Sequence, residues 1–269
     1  AYWGHGRNFQ SSRPAGLRER WKKTQIGLVD WWFAYTELTK DILLKDGYPE
    51  RRITVLDNAI DNAGFKQDLA AVSAVRIAEL RAGLGIDESA PVGVFCGSLY
   101  PDKRLDFLVA AADLIREAIP GFHLVVIGDG PGAAPIRVAA ESRDWLRWVG
   151  VRRGDEKAAW FRLADVVLNP GLVGLHVLDA FCAGLPMITT SDASHSPEIA
   201  YLEHGRNGLI LEGRCEPYAQ AVINLLRDDQ RLAELSAAAL LSSERYTLRN
   251  MVNNFVGGFE RCLQAPRLR

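Results

Sequence analysis

The chain has 269 residues, 48% of them hydrophobic, and a formal net charge of −1. That is enough chain for one large domain or two ordinary ones with a real core; it excludes a disordered chain and offers no global basic surface of the kind nucleic-acid binding needs. Its four cysteines, Cys96, Cys182, Cys215 and Cys262, lack CxxC or metal-ligand spacing, so they read as reduced core thiols of a cytoplasmic protein, and no metal site is expected.

No run approaches the ~18 apolar residues of a membrane span. The chain opens at Ala1 on AYWGHGRN, a motif rather than a lead-in, and is expected to be a piece of something longer. Trp3-Gly4-His5-Gly6 reads as the end of a strand entering a loop. The next residues hold Arg7, Arg13, Arg18, Arg20, Lys22 and Lys23 against one acid, Glu19: a solvated basic face, or a peripheral contact with anionic lipid or a phosphorylated acceptor. Residues 26 to 65 predict two strands, in IGLVDWWFAYT and ITVLDNAID, joined by a helix over Glu37–Lys45, with Trp31, Trp32 and Phe33 as core. Residues 65–90 are polar and helical in pattern and make the best linker. From there strand-like runs at 91–97, 122–128, 146–150, 164–170, 186–190 and 207–211 alternate with helical stretches at Leu105–Ala118, Ala134–Ser142, Lys157–Leu163 and Leu175–Ala183. Such alternation implies βαβ units and a doubly wound parallel sheet, an α/β fold. From Pro217 the pattern is helical to the end, and Gly257-Gly258 predicts a bend in the last helix.

In parallel sheets of this kind ligands bind beyond the carboxyl ends of the strands. The most informative stretch is ADVVLNPGLVGLHVLDAFCAGLPMITT, residues 164 to 190: a strand, a glycine turn, a helix closed by Gly184, and a second strand. The turn presents unpaired backbone N–H groups at a helix N-terminus, with Gly174 leaving room for a ligand, so a phosphate is the expected guest. Lys103 stands before the helix at Leu105, where it either pairs with a phosphate or is simply a solvated charge. Asp179 lies one turn into its helix, where it either accepts hydrogen bonds from vicinal hydroxyls or complements the helix dipole. Ser196-Pro197 has the form of a helix start. Gly128-Asp129-Gly130-Pro131-Gly132 lacks the GxGxxG spacing of a dinucleotide site, and no Ser-His-Asp order, HExxH or EF-hand loop is present.

Several ordered segments together resemble the donor-binding half of a family 4 (group 1) retaining glycosyltransferase of GT-B fold, two Rossmann-like domains facing a cleft. DNAIDNAGF (57–65) resembles the family's NGID-F segment, and GSLYPDKRLDFLVAA (97–111) its GR-x4-KG segment. GLVGLHVLDAFCAGLPMITT resembles the E-x7-E signature, and HSPEIAYLEHGRNGLILEG the PE…GxNGxL stretch after it. The resemblance implies an incomplete acceptor domain at 1–64, a linker at 65–90, a nucleotide-sugar domain at 91–240 and helices at 241–269 that cross back. Lys103 would then neutralise the donor diphosphate, Val173, Gly174 and Leu175 would meet phosphate and sugar through their backbone, and Asp179 would hold the ribose. Asp129 and Val151 would approach the nucleoside, and His5 would orient the sugar or diphosphate from the acceptor side.

Two positions depart from the pattern. The signature's first glutamate falls on Gly171, and the arginine paired with the lysine falls on Ser98. The sugar is then held by other groups, with His195 and Ser98 as candidates, or the site is impaired. The resemblance implies transfer of a sugar, with retention and without metal or cofactor, from a nucleotide-diphosphate sugar to a glycan or lipid-linked acceptor in polysaccharide or glycoconjugate synthesis. The expected place is the cytoplasm, either free in it or peripherally at the inner face of the membrane. The alternative is a nucleotide-sugar or glycan binding module without activity. A phosphorylase or epimerase would need a pyridoxal lysine or further acids that the sequence does not offer.

Overall fold

Residues 1–4 and 28–267 are described by the computed structural model; His5 and the basic stretch from Arg7 to Lys23 lie outside them. Three short strands, β1 (Tyr2–Gly4), β2 (Trp32–Ala34) and β3 (Ile53–Val55), pair in parallel in that order. Helix α1 (Glu37–Lys45) joins β2 to β3 and starts at Thr36, whose hydroxyl accepts from the Thr39 N–H at 3.4 Å. Trp32, Ala34, Leu43 and Tyr48 pack on one face of this sheet, and Trp31, Phe33 and Leu56 on the other. The aromatic run is therefore core, as its composition implies.

Between the sheets, the stretch read as a linker is a pair of helices, α2 (Asn62–Ala71) and α3 (Ala74–Leu84), capped by Asp61 and Ser73. Phe65 and Leu69, four residues apart and so on one helical face, join the core of the larger sheet. A segment that buries two such side chains is a structural element rather than a tether.

The larger sheet has six parallel strands: β4 (Val92–Cys96), β5 (His123–Ile127), β6 (Leu146–Gly150), β7 (Val166–Leu168), β8 (Met187–Thr190) and β9 (Gly208–Leu211). Their order is β6-β5-β4-β7-β8-β9. Helices α4 (Leu105–Ala118), α5 (Ala134–Ser142), α6 (Gly154–Leu163) and α7 (His176–Ala183) make the crossovers. Because strand side chains alternate, Val125 and Ile127 enter one apolar cluster while Leu124 and Val126 enter the other, so both faces of the sheet are buried.

Three helices complete the chain: α8 (Cys215–Leu226), α9 (Asp229–Arg245) and α10 (Leu248–Gln264). The last lies across the small sheet, placing Met251, Phe255 and Cys262 against Trp31, Phe33 and Leu56, with Phe255 stacked on Phe33 at 4.7 Å. It runs unbroken through Gly257-Gly258, where the sequence suggests a bend. The reason is contact: a Cβ on Gly258 would meet Thr54 Oγ1 at 2.5 Å and Phe33 at 2.8 Å, so the missing side chain lets the helix sit directly on the sheet. The chain crosses between the sheets at 57–62. There Asp57 takes a left-handed conformation (φ 53°) with its carboxylate 3.6 Å from Arg245, the Asn58 amide donates to Glu198 Oε1 at 3.0 Å, and Tyr201 donates to the Asn58 carbonyl at 2.9 Å.

Candidate functional site

In the larger sheet the chain winds one way from β4 to β5 and β6 and the other way to β7, β8 and β9. The loops leaving β4 and β7 therefore diverge, and the crevice between them is where ligands bind in such sheets. These two loops hold Lys103 and the glycine turn.

Lys103 ends a short 3₁₀ turn, Pro101–Lys103, and is only 7% exposed. Its ammonium donates to the Leu172 carbonyl at 2.5 Å, so it is anchored on the facing loop rather than extended into water. Burial lowers its pKa to about 8, against weaker raising effects from Cys96 and Asp102. A solvated charge would not be held in this way. Arg104, next in the chain, adopts a left-handed conformation (φ 55°, ψ 50°) where the resembling motif has glycine. Its guanidinium donates to Thr190 Oγ1 at 2.9 Å and Asp192 Oδ1 at 2.8 Å and lies 4.7 Å from the Phe107 ring centre, fastening this loop to the one after β8.

The glycine turn is locked onto the same loop. The Leu172 N–H donates to the Asp102 carbonyl at 2.9 Å, the Asn169 amide donates to the carbonyls of Gly171 and Leu172, and the Thr190 hydroxyl donates to that of Pro170. Gly171 is buried, and a Cβ there would fall inside the backbone of Asp102 and Lys103. The position where the signature has a glutamate has no space for any side chain. The Val173 N–H donates to His195 Nδ1 at 3.1 Å while His195 Nε2 meets the Thr190 carbonyl at 2.6 Å. Both His195 nitrogens are thus spent bracing the loop, which removes it from the groups free to hold a sugar. It also satisfies one of the N–H groups expected to meet a ligand. Those of Gly174, Leu175 and His176, at the start of α7, have no acceptor among the described residues.

Asp179, one turn into α7, is 6% exposed and accepts from Lys157 Nζ at 2.8 Å through Oδ1; Oδ2 has no donor among the described residues. Burial raises its pKa despite the lysine beside it. The Lys157 ammonium lies 4.2 Å from the centre of the Phe65 ring, so helix α2 helps to hold the pair. Cys96, at the end of β4, links the two halves of the site: burial pushes its thiol up to about 12, with Asp179 adding to the shift and Lys157 and Lys103 opposing it. His176 is charged only with difficulty, because burial and then the Lys103 and Lys157 ammonium groups all lower its pKa; its Nε2 is shut off from solvent and has no partner among the described residues. Lys157, His176 and Arg104 are the residues that sequence reasoning missed. Arg104 alone left a signal, a Lys-Arg pair where the resembling motif reads Lys-Gly.

The other expected positions line the same edge. Ser98 is exposed on the same loop after β4 as Lys103, and Asp129 is exposed on the loop after β5, which the Leu99 N–H joins through the Asp129 carbonyl at 3.0 Å. The Asp129 carboxylate turns back onto the Gly130 N–H at 2.7 Å. Val151 follows β6 and is 53% exposed. Ser98, Lys103, Asp129, Val151, Gly171, Val173, Gly174, Leu175 and Asp179 thus all lie on loops or a helix start that follow the carboxyl ends of the large-sheet strands, while His5 lies outside the described residues. Among the described residues no cluster could hold a metal ion, and no helix is long and apolar enough to cross a membrane.

Residues 90–228 match the family model described as Glycosyl transferases group 1. Over 204 residues the chain is 32% identical to the GDP-mannose-dependent alpha-(1-6)-phosphatidylinositol monomannoside mannosyltransferase of Mycobacterium tuberculosis, covering 71% of this chain and 51% of that protein. It is also 32% identical to the D-inositol 3-phosphate glycosyltransferase of Stackebrandtia nassauensis, over 68% of this chain and 44% of the other. The chain therefore spans about half the length of the curated relatives it matches. Among solved structures, Anabaena Alr3699/HepE in complex with UDP superposes with a TM-score of 0.72 at 18% identity, covering 96% of this chain and 71% of that one. WaaG, a glycosyltransferase involved in lipopolysaccharide biosynthesis, gives 0.63 at 18% identity, over 84% and 61%. At these identities the superpositions speak for the fold alone.

Proposed function

The chain belongs to the group 1 glycosyl transferases, and from that premise we propose that it is the donor-binding part of a retaining enzyme that moves a sugar from a nucleotide-diphosphate donor to a glycan or lipid-linked acceptor. The observation that carries the proposal is the buried Lys103 ammonium facing the open N–H groups of Gly174, Leu175 and His176 across the crevice between β4 and β7. Fixed donors of this kind meet the charge that gathers on a leaving phosphate without reorganising, which is how such a site works without a metal ion. Asp179 Oδ2 accepts from the ribose hydroxyls while Oδ1 stays on Lys157. Asp129 and Val151 border the nucleoside, Ser98 faces the phosphates, and His5 approaches from the acceptor side. Residues 1–64, with the crossing helix α10, belong to the acceptor domain, and the protein works in the cytoplasm, peripherally at the membrane.

Calorimetric titration with UDP, GDP and ADP, without divalent metal, tests this reading. Because the mycobacterial relative is a GDP-mannose-dependent enzyme, GDP and GDP-mannose are the first pair to try. Saturation by one nucleotide family, weakened in Lys103→Ala and Asp179→Ala, is the expected result; a folded chain that binds none of the three would overturn it. The closed space at Gly171 favours a second reading, a nucleotide-sugar or glycan binding module without transfer. Binding with neither donor hydrolysis nor transfer to any acceptor would select it.

A further inference from the structure

At the N-terminal edge of the small sheet, away from the crevice, a cavity of about 330 Å³ is lined by Trp31, Arg51, Arg52, Arg261, Gln264 and Pro266. Arg51 and Arg52 close the 3₁₀ turn Glu50–Arg52 that leads into β3, and Arg261 comes from the last turn of α10. Three guanidinium groups thus meet around one space.

Arg52 is 4% exposed, yet among the described residues it has no anionic partner. Its terminal nitrogens donate to two neutral carbonyls, Nη1 to Asp30 at 3.1 Å and Nη2 to Pro266 at 2.5 Å, and its buried Nε has no acceptor among the described residues. Arg261 donates to the Thr54 hydroxyl at 3.3 Å. None of the three arginines is ion-paired among the described residues, and the adjacent Glu50 is engaged by Lys40 at 2.8 Å. A guanidinium taken out of water carries a large desolvation penalty that two carbonyl dipoles do not offset, and two further positive charges beside it raise that penalty. An anion in the cavity removes the imbalance. The planar N–H fork of arginine matches the oxygens of a phosphate group, and the space accommodates such a group together with part of the molecule that carries it. On the outer side of α10, Phe259 and Leu263 stand 50% and 71% exposed within a turn of Arg261, so an apolar organic portion would have a surface to lie on.

We propose that this cavity binds a phosphate monoester, separately from the donor crevice. The test uses the full chain in a Lys103→Ala background, which weakens phosphate binding at the crevice, and compares it with the same chain carrying Arg51→Gln and Arg261→Gln. Both substitutions lie on the rim, and circular dichroism verifies that the fold is kept. Thermal unfolding is followed in inorganic phosphate and in sodium chloride of equal ionic strength. The expected result is a phosphate-specific rise in melting temperature that requires on the order of tenfold more phosphate for each guanidinium removed. Equal responses in parent and variant, or none in either, would overturn the site. Co-sedimentation with vesicles of phosphatidylcholine, with and without phosphatidic acid, then identifies the source of the phosphate. Binding to the phosphatidic acid vesicles that the two substitutions abolish supports the site with a lipid headgroup as its ligand, and a phosphate response without that loss supports it with a soluble ester.

Discussion

On the function proposed above, Lys103 is the charge this crevice would offer to a phosphate, and its burial would make that offer pH-dependent. In the free protein it keeps its proton only up to about pH 8. A bound diphosphate raises that value, so between the two pKa values binding takes up a proton and affinity falls as pH rises, by up to about tenfold per unit. Titrations of the nucleotide diphosphate from below to above pH 8 should follow this slope, and Lys103→Met should flatten it. At neutral pH, Lys103→Ala should cost about 1.5–3 kcal/mol of diphosphate binding, as for a charge-assisted hydrogen bond; calorimetry measures it directly. Lys103 was legible in the sequence because its loop lies at a strand end and within a resembling motif. Lys157 was not, since its link to Asp179 spans 22 residues and exists only once α6 and α7 lie side by side. The role of His195 was half legible: its place in the loop was plain, but that both its nitrogens are spent on Val173 and Thr190 is a matter of geometry alone.

At the scale of elements, the glycine turn and the last helix are fitted to their neighbours by what they lack. Restoring the resembling motif's acid with Gly171→Glu should not restore a sugar contact. The new side chain must displace the Asp102–Lys103 backbone, costing about 3 kcal/mol, the upper end of overpacking penalties, and pulling Lys103 out of register. Chemical denaturation and a diphosphate titration on the variant check both effects. Gly258→Leu should likewise lift α10 from Thr54 and Phe33 at a cost of about 1–3 kcal/mol, readable from the denaturation midpoint. Most elements could be read from sequence because periodicity and punctuation agree: Leu105–Ala118 and Ala134–Ser142 form over the residues expected. Helix α6 begins earlier than its apolar pattern, at Gly154, because Asp155 and Glu156 suit a first turn without contributing to an apolar stripe. The single helical tail is three helices, divided where the Asp228 and Thr247 side chains cap α9 and α10. The Gly258 contact could not be read, because nothing local distinguishes a glycine that breaks a helix from one that lets it lie close.

For the molecule as a whole, the two sheets are joined by a small polar and aromatic junction. Tyr201 and Tyr246 stack at 3.9 Å between them, and the Asn62 amide donates to the Tyr246 carbonyl at 2.6 Å. Tyr246→Ala should therefore cost about 3 kcal/mol and let the two sheets melt at separate temperatures in differential scanning calorimetry, where the parent melts once. The seating of α10 on the small sheet also sets an order of events during synthesis. Arg52 meets the Pro266 carbonyl 214 residues later in the chain, and Trp31, Phe33 and Leu56 are covered by residues near the same end. At ribosomal rates of about 5–20 residues per second, the apolar underside of the first three strands waits roughly 10–40 s for its lid. The large sheet has time to form in that interval, so of the two sheets described the one begun earlier is the one completed later.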